Sequence, residues 1–175
     1  TLAKGADPAR MMCELFGRAT GYNQGKGGSM HIADFSVGML GANGVVAAGI
    51  PIATGAAHAL KIRGLPHIVA CFFGDGASNE GTFHEAANIA ALYRLPIVFV
   101  CENNGFGEFT RQDRHQAIQD VADRAGSYGM PGVIVDGMDV VAVHEAALEA
   151  AARARRGDGP SLIEAKTYRF YNHHG

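Results

Sequence analysis

Charge of one sign is missing: 15 Lys and Arg against 17 Asp and Glu leave a formal net charge of −2. General electrostatic attraction to nucleic acid or to an anionic membrane surface is therefore not expected. Cysteine is scarce, and Cys13, Cys71 and Cys101 are odd in number with no CxxC pair. Free thiols, two of them inside apolar runs, in a reduced and cytoplasmic chain are the expectation. There is no signal-peptide pattern, no repeat of 20–50 residues, no collagen-like period and no Ser/Gln-rich tract. One long stretch without Asp, Glu, Lys or Arg, Phe35 to Leu60, is long enough to cross a bilayer, but Asn43, Pro51, His58 and its glycines make it a buried loop followed by a buried helix.

What is present is apolar residue and glycine. At 47% apolar, 175 residues supply one sizeable core, so a single domain over 1–175 is expected. Glycine, at 24 residues, is about twice its usual share of ~7%. The chain starts at Thr1 and stops just past a strand-like run, the look of an internal fragment of a longer chain.

Hydrophobic patterning gives the organisation. Asp7-Pro8 caps a helix whose Met11, Met12, Leu15 and Phe16 recur at helical spacing up to about Thr20. A glycine-broken loop covers Gly21 to Gly44, too long to be a mere connection. A helix over about Ile50 to Arg63 follows, then a strand buried on both faces at His67 to Phe73. Thr82 and Glu85 have capping-box spacing before a helix that Leu95-Pro96 stops, and Ile97 to Cys101 is the next buried strand. A second set comprises a helix near Arg114 to Ala125, a strand at Gly132 to Val135, a helix from Val140 to Arg156 capped by Asp139, and a strand at Ser161 to Thr167. Strand, helix, strand repeated in this way predicts an α/β fold with an open, mainly parallel sheet and helices on both faces.

In such sheets ligands bind at the carboxyl ends of the strands. Here these ends read Gly74-Asp75-Gly76-Ala77-Ser78-Asn79-Glu80-Gly81 and Glu102-Asn103-Asn104-Gly105-Phe106-Gly107. A Rossmann-type nucleotide site would use Glu102 as its ribose acid. Its glycine spacing is wrong, however, and Asp75 would face the pyrophosphate. A phosphate loop at Gly25-Lys26-Gly27-Gly28-Ser29 follows no strand and reads better as a solvated loop. The third reading makes Asp75 the point of the site: a carboxylate, an amide oxygen from Asn104 and a carbonyl in the next turn are hard donors for magnesium, with a cofactor diphosphate completing the shell. Gly74 and Gly76 permit close backbone approach, and the following helix N-terminus favours an anion. His31, His58, His67, His84, His115 and His144 show no metal-binding spacing and are taken as satisfied polar or surface residues.

Gly74-Asp75-Gly76, 26 intervening residues and then Asn103-Asn104 resemble the thiamine diphosphate motif. The surrounding GKGGSMH at Gly25 to His31, GANGVV at Gly41 to Val46, the run from Phe72 to Asn104, VDGMD at Val135 to Asp139 and KTYRF at Lys166 to Phe170 extend this over nearly the whole chain. Together they resemble the α subunit of the decarboxylating first component of 2-oxo acid dehydrogenase complexes, the group of pyruvate, branched-chain 2-oxo acid and acetoin dehydrogenases.

The resemblance implies a thiamine diphosphate-binding fold and an oxidoreductase that decarboxylates a 2-oxo acid and passes the acyl group to a lipoyl acceptor. Pyruvate is the first expectation for the substrate, and acetoin the alternative. A non-catalytic assembly module or a nucleotide-binding module is the reading from another class. By the resemblance, Asp75 and Asn104 bind magnesium through side chains and Phe106 through its carbonyl. Gly74 lies beside them, and Gly76 and Ala77 offer backbone amides to the diphosphate. Gly44 and Val46 contact the aminopyrimidine, Arg169 pairs with the phosphates, and His173 is the catalytic residue near the reacting carbon. A β subunit, in a heterotetramer of two α and two β chains, and a lipoyl acyltransferase are the implied partners. His174 stands where members of the family often have a regulatory serine. The resemblance also implies a Tyr-Arg pair shortly before the first helix that grips the cofactor, for which this sequence starts too late, and an activating carboxylate from the β subunit, so this segment alone is expected to be inactive.

Overall fold

The computed structural model describes residues 1–174. By its contacts the chain divides into two compact units, Thr1–Val46 and the remainder from Ala47.

In the first unit the only α-helix is α1 (Pro8–Leu15), with Asp7 accepting from the amide of Ala9 and Pro8 in its first turn. It ends five residues before the expected Thr20. Gly17 adopts a left-handed φ of +67° and turns the chain away. The expected apolar stripe is also not what α1 buries: Met12, Leu15 and Phe16 are exposed, and the buried residue is Glu14. The rest of the unit is loop with short 3-10 turns at Gly28–Met30 and Phe35–Val37, as the glycine pattern requires.

The second unit contains the sheet. Helix α2 (Gly49–Ile62) precedes β1 (Val69–Gly74), α3 (Gly81–Leu92) and β2 (Ile97–Asn103). A small hairpin, β3 (Phe106–Gly107) with β4 (Thr110–Arg111), leads to a one-turn helix α4 (Gln112–His115). Then follow β5 (Gly132–Asp136), α5 (Val140–Arg155) and β6 (Ser161–Lys166). The four long strands lie in the order β1-β2-β6-β5, all parallel. Helices α2 and α3 pack with one face through Ala53, Ala57, Phe83, Ala86 and Ala90 against Cys71, Phe73 and Phe99, while Ala150 of α5 covers Val98 and Ile163 on the other. The expected parallel α/β sheet with helices on both faces is thus what forms. Among the described residues no helix is long and apolar enough to cross a membrane, in line with reading Phe35 to Leu60 as loop plus buried helix.

Three local expectations change. Strand β1 is an edge strand buried on one face only, with Val69, Cys71 and Phe73 inside and Phe72 64% exposed, because α5 covers β2 and β6 and not β1. Thr82 does not cap α3: Glu80 holds the N-cap position without a side-chain bond, and Thr82 sits one residue inside the helix. The helix expected over Arg114 to Ala125 is broken into α4 and a 3-10 stretch at Val121–Tyr128. The break falls at Gln116, which turns extended as its side chain is drawn to Ser78 and to the carbonyl of Ile118. Polar demand from the sheet end outweighs helix continuation there.

Candidate functional site

Parallel pairing sets Gly74 beside Glu102, so the segments leaving β1 and β2 emerge together at the carboxyl edge of the sheet. Asp75 follows Gly74 immediately and starts a 3-10 turn at Gly76–Asn79. Its backbone carbonyl accepts from the Ser78 amide at 3.1 Å and the Ser78 hydroxyl at 2.7 Å. The amides of Gly76 and Ala77 precede the first bond of that turn and are left free of it. A Cβ on Gly76 would stand 3.0 Å from the Cα of Gly107, so the β1 turn and the hairpin after β2 touch backbone to backbone.

The Asp75 carboxylate is the chemical centre. It is only 1% exposed, and neither oxygen has a hydrogen-bond partner among the described residues. A buried carboxylate without partners is costly unless a cation answers it. His115 approaches to 3.6 Å between Nε2 and Oδ2, outside hydrogen-bond range. Its tautomer follows from the neighbours: Arg124 can only donate, so Asn79 turns its oxygen to Arg124 at 2.8 Å and its nitrogen to His115 Nδ1 at 2.9 Å. His115 therefore accepts at Nδ1 and presents Nε2–H toward Asp75. The chain of polar groups continues from Arg124 to His84 and Tyr128. Burial, with Arg124 adding to it, holds His84 below its ordinary value.

Asn104 and Phe106 follow β2. Asn104 Oδ1 accepts from the Phe106 amide at 3.1 Å, which uses one lone pair and leaves another. Phe106 and Arg111 form a pair outside the ladder bonds of the hairpin, with Gln112 donating to Gly105 across it. The Phe106 carbonyl consequently leaves the ladder on the same side as its amide. A carboxylate, an amide oxygen and a peptide carbonyl at one sheet edge make a hard-oxygen donor set. Among the described residues there is no cluster of three or more His, Cys, Asp or Glu side chains suited to a metal.

The first Asn of the pair has a different task. Asn103 is buried, donates from Nδ2 to Glu164 Oε1 at 2.6 Å and to Gln112 Oε1 at 3.2 Å, and accepts the Gly105 amide at 2.8 Å. Glu164, fully buried in β6, also binds Lys166 Nζ at 2.6 Å and the Ala122 amide at 2.7 Å. Burial tends to lower the Lys166 ammonium, but Asp120 and Glu164 beside it hold it above its ordinary value.

Of the residues expected from sequence, Gly74, Asp75, Gly76, Ala77, Asn104 and Phe106 come together at this edge. Arg169 joins them, its guanidinium 5.0 Å over the Phe106 ring and 2.5 Å from the Glu108 carbonyl. His173 is exposed and lies against the Phe109 ring at 6.3 Å. Gly44 and Val46 belong to the first unit, where Val46 is exposed and Gly44 lies against His31. His115 and Glu164 were missed. A carboxylate between Ile163 and Ala165 in an apolar strand was the available signal for Glu164, whereas His115 carried none.

The fold is that of thiamine diphosphate-dependent enzymes: a Rhodococcus jostii 4-hydroxybenzoylformate decarboxylase of that kind superposes with a TM-score of 0.52 at 27% identity, over 70% of this chain and 23% of that one. A transketolase from Campylobacter jejuni shares the fold with a TM-score of 0.62 at 22% identity, over 77% of this chain and 22% of that one. Within this class the chain belongs to the Dehydrogenase E1 component family, which matches residues 1–175. It is 57% identical over 172 residues to the α subunit of acetoin:2,6-dichlorophenolindophenol oxidoreductase of Bacillus subtilis, and 55% identical to that of Cupriavidus necator. It is 47% identical over 179 residues to the pyruvate dehydrogenase E1 component α subunit of Porphyra purpurea. Each alignment takes in 98% of this chain and 52% of the relative, so the chain spans about half the length of the curated relatives it matches.

Proposed function

We propose that this chain is the diphosphate- and metal-binding part of the α subunit of a thiamine diphosphate- and magnesium-dependent dehydrogenase. The observation that carries the reading is the buried, partnerless carboxylate of Asp75 at the carboxyl edge of the sheet. Magnesium would be held by Asp75, Asn104 Oδ1 and the Phe106 carbonyl, hard oxygen donors of the kind it prefers. When bound, the cofactor supplies a nucleophilic carbon and an electron sink for breaking the bond next to a substrate carbonyl.

The chain's own residues bind and orient. Gly76 and Ala77 direct amides at the diphosphate, Arg169 adds a cation, and the contact of Gly76 with Gly107 keeps side chains out of the cradle. His115 turns its Nε2–H toward Asp75 Oδ2 from 3.6 Å, beyond hydrogen-bond range, and so leaves both carboxylate oxygens open to the metal. His173, on the exposed segment after β6, would hold or move a proton beside the substrate. Gly44 and Val46 contact the aminopyrimidine end. A β subunit supplies the rest of the active site in a heterotetramer of two α and two β chains, a lipoyl acyltransferase receives the acyl group, and the setting is cytoplasmic.

Acetoin is favoured as substrate by the 57% and 55% identities to acetoin-oxidising α subunits. Pyruvate is the second reading, supported by the 47% identity to a pyruvate dehydrogenase α subunit. Both carry the carbonyl that such chemistry needs.

The test is thermal unfolding of the full-length chain with its β partner, with thiamine diphosphate plus magnesium, and with NAD as control. Ligand at 100 times its dissociation constant adds about 2.7 kcal/mol, a rise of several degrees. A magnesium-dependent rise confined to the thiamine cofactor is the expected result, and a rise with NAD alone would overturn the reading. Reduction of 2,6-dichlorophenolindophenol with acetoin or with pyruvate then separates the substrates.

A further inference from the structure

The glycine-rich segment Gly25-Lys26-Gly27-Gly28 has the look of a loop that aims its amides at a phosphate, yet its amides point inward. Glu14, in the last turn of α1 and 1% exposed, accepts its three glycine amides and that of Asn23 just before them. Oε2 takes the amides of Asn23 at 2.7 Å and Gly25 at 2.9 Å, and Oε1 those of Gly27 at 2.7 Å and Gly28 at 3.1 Å. Four donors fill the acceptor positions of one carboxylate. The surroundings admit no side chains: a Cβ on Gly21 would lie 2.5 Å from Glu14 Oε2, and one on Gly25, whose φ is +75°, would lie 2.3 Å from the Gly17 carbonyl carbon. From this wrapped loop Asn23 Nδ2 donates to the His31 carbonyl. The His31 ring in turn stands 3.2 Å from where a Cβ on Gly44 would be.

We propose that Glu14 is a positioning residue for the cofactor site: its carboxylate is the template on which residues 21–31 fold, and the folded loop holds His31 against Gly44. The proposal rests on the cofactor reading above, in which Gly44 touches the aminopyrimidine. Glutamine cannot replace Glu14, because its amide nitrogen would face two N–H donors. Asn23 is the link from the template to the Gly44 side. Its amide group can be removed without touching any of the four bonds to Glu14, which use its backbone alone.

The experiment uses the full-length chain together with its β partner, as wild type, Glu14→Gln, Asn23→Ala and Asp75→Ala. Hydrogen exchange over residues 21–31 and calorimetric titration with thiamine diphosphate in magnesium are measured on each. Glu14→Gln should speed exchange in the loop about ten-fold or more and weaken cofactor binding about ten-fold. Asn23→Ala should weaken binding while Gly25, Gly27 and Gly28 stay protected, a split that general destabilisation does not produce. Asp75→Ala should lose binding with loop exchange unchanged. Unchanged exchange in Glu14→Gln, or wild-type affinity despite a loosened loop, overturns the proposal. Should Glu14→Gln fail to fold, wild-type affinity in Asn23→Ala overturns it. If the wild type binds no thiamine diphosphate the cofactor reading fails instead, and the exchange comparison still decides whether Glu14 is the template.

Discussion

Gly76 and Gly107 pack backbone against backbone: a Cβ on the first would stand 3.0 Å from the Cα of the second, close enough that the neighbour must give way, and one on the second 3.4 Å from the Cα of the first, at the edge of ordinary contact. Neither glycine has a left-handed φ, so the constraint is space and not backbone conformation. Gly76→Ala should therefore push the β3–β4 hairpin away from the Asp75 turn. A loss of about 1–3 kcal/mol in stability is expected, together with weaker cofactor binding. Gly74→Ala, where a Cβ would meet nothing within 4 Å, is the control that should leave packing intact. Urea unfolding of the two variants checks this.

Asp75→Asn separates stability from function in opposite directions. Removing a buried charge that has no partner should stabilise the chain in the absence of metal, by about 1–3 kcal/mol. The same change should abolish the magnesium-dependent rise in unfolding temperature with thiamine diphosphate. Thermal unfolding with and without ligands reads both effects in one series.

Glu164→Ala should behave as a structural lesion. It strands the Ala122 amide and leaves Asn103 Nδ2 with Gln112 alone and Lys166 Nζ with Asp120 alone, a loss of about 1–3 kcal/mol. Denaturant titration should show this loss whether or not cofactor is present.

Glu14 gives a pH dependence with a defined sign. Burial pushes its carboxyl up, but the amides of Gly25, Asn23, Gly27 and Gly28 outweigh that and hold it below 4.5. A carboxyl lowered in the folded state contributes stability that is fully present above its unfolded value and is lost as pH falls through the folded one. Hydrogen exchange over residues 21–31 should thus be flat above pH 5, after correction for the intrinsic rate, and rise below about pH 4.5. In Glu14→Gln that acid-dependent rise should vanish.

Cys71 and Cys101 should resist alkylation. Burial raises the Cys71 thiol to about 11, and Cys101 is raised as well by burial and by Glu164 and Asp75 nearby. Cys13, partly exposed, should react first with a thiol reagent at pH 8, which peptide mapping can follow.

The sheet and its crossovers could be read from sequence because apolar runs such as Ile97 to Cys101 and the caps Asp7 and Asp139 act locally. Asp75 and Asn104 were legible because their spacing across one crossover is a motif. What escaped was set by contacts far along the chain. The partners of Asn103 lie 61 and 9 residues away, and Gln116 leaves its helix for Ser78, 38 residues back. Thr82 looked like a cap because its spacing to Glu85 is right, yet the helix begins one residue earlier. The glycines of residues 21–28 were legible as turns, but that they wrap a carboxylate from α1 required the fold.

The strand order β1-β2-β6-β5 carries a consequence for synthesis on the ribosome. The strand that fills the middle of the sheet is the last of the four to be made, so β2 must wait with one edge open for about sixty residues. At about 5–20 residues per second that is roughly 3–12 s, during which Asn103 lacks Glu164. The site is thus completed only when β6 slides between two strands already present, and a chaperone that shields the β2 edge during those seconds would raise the yield of active protein.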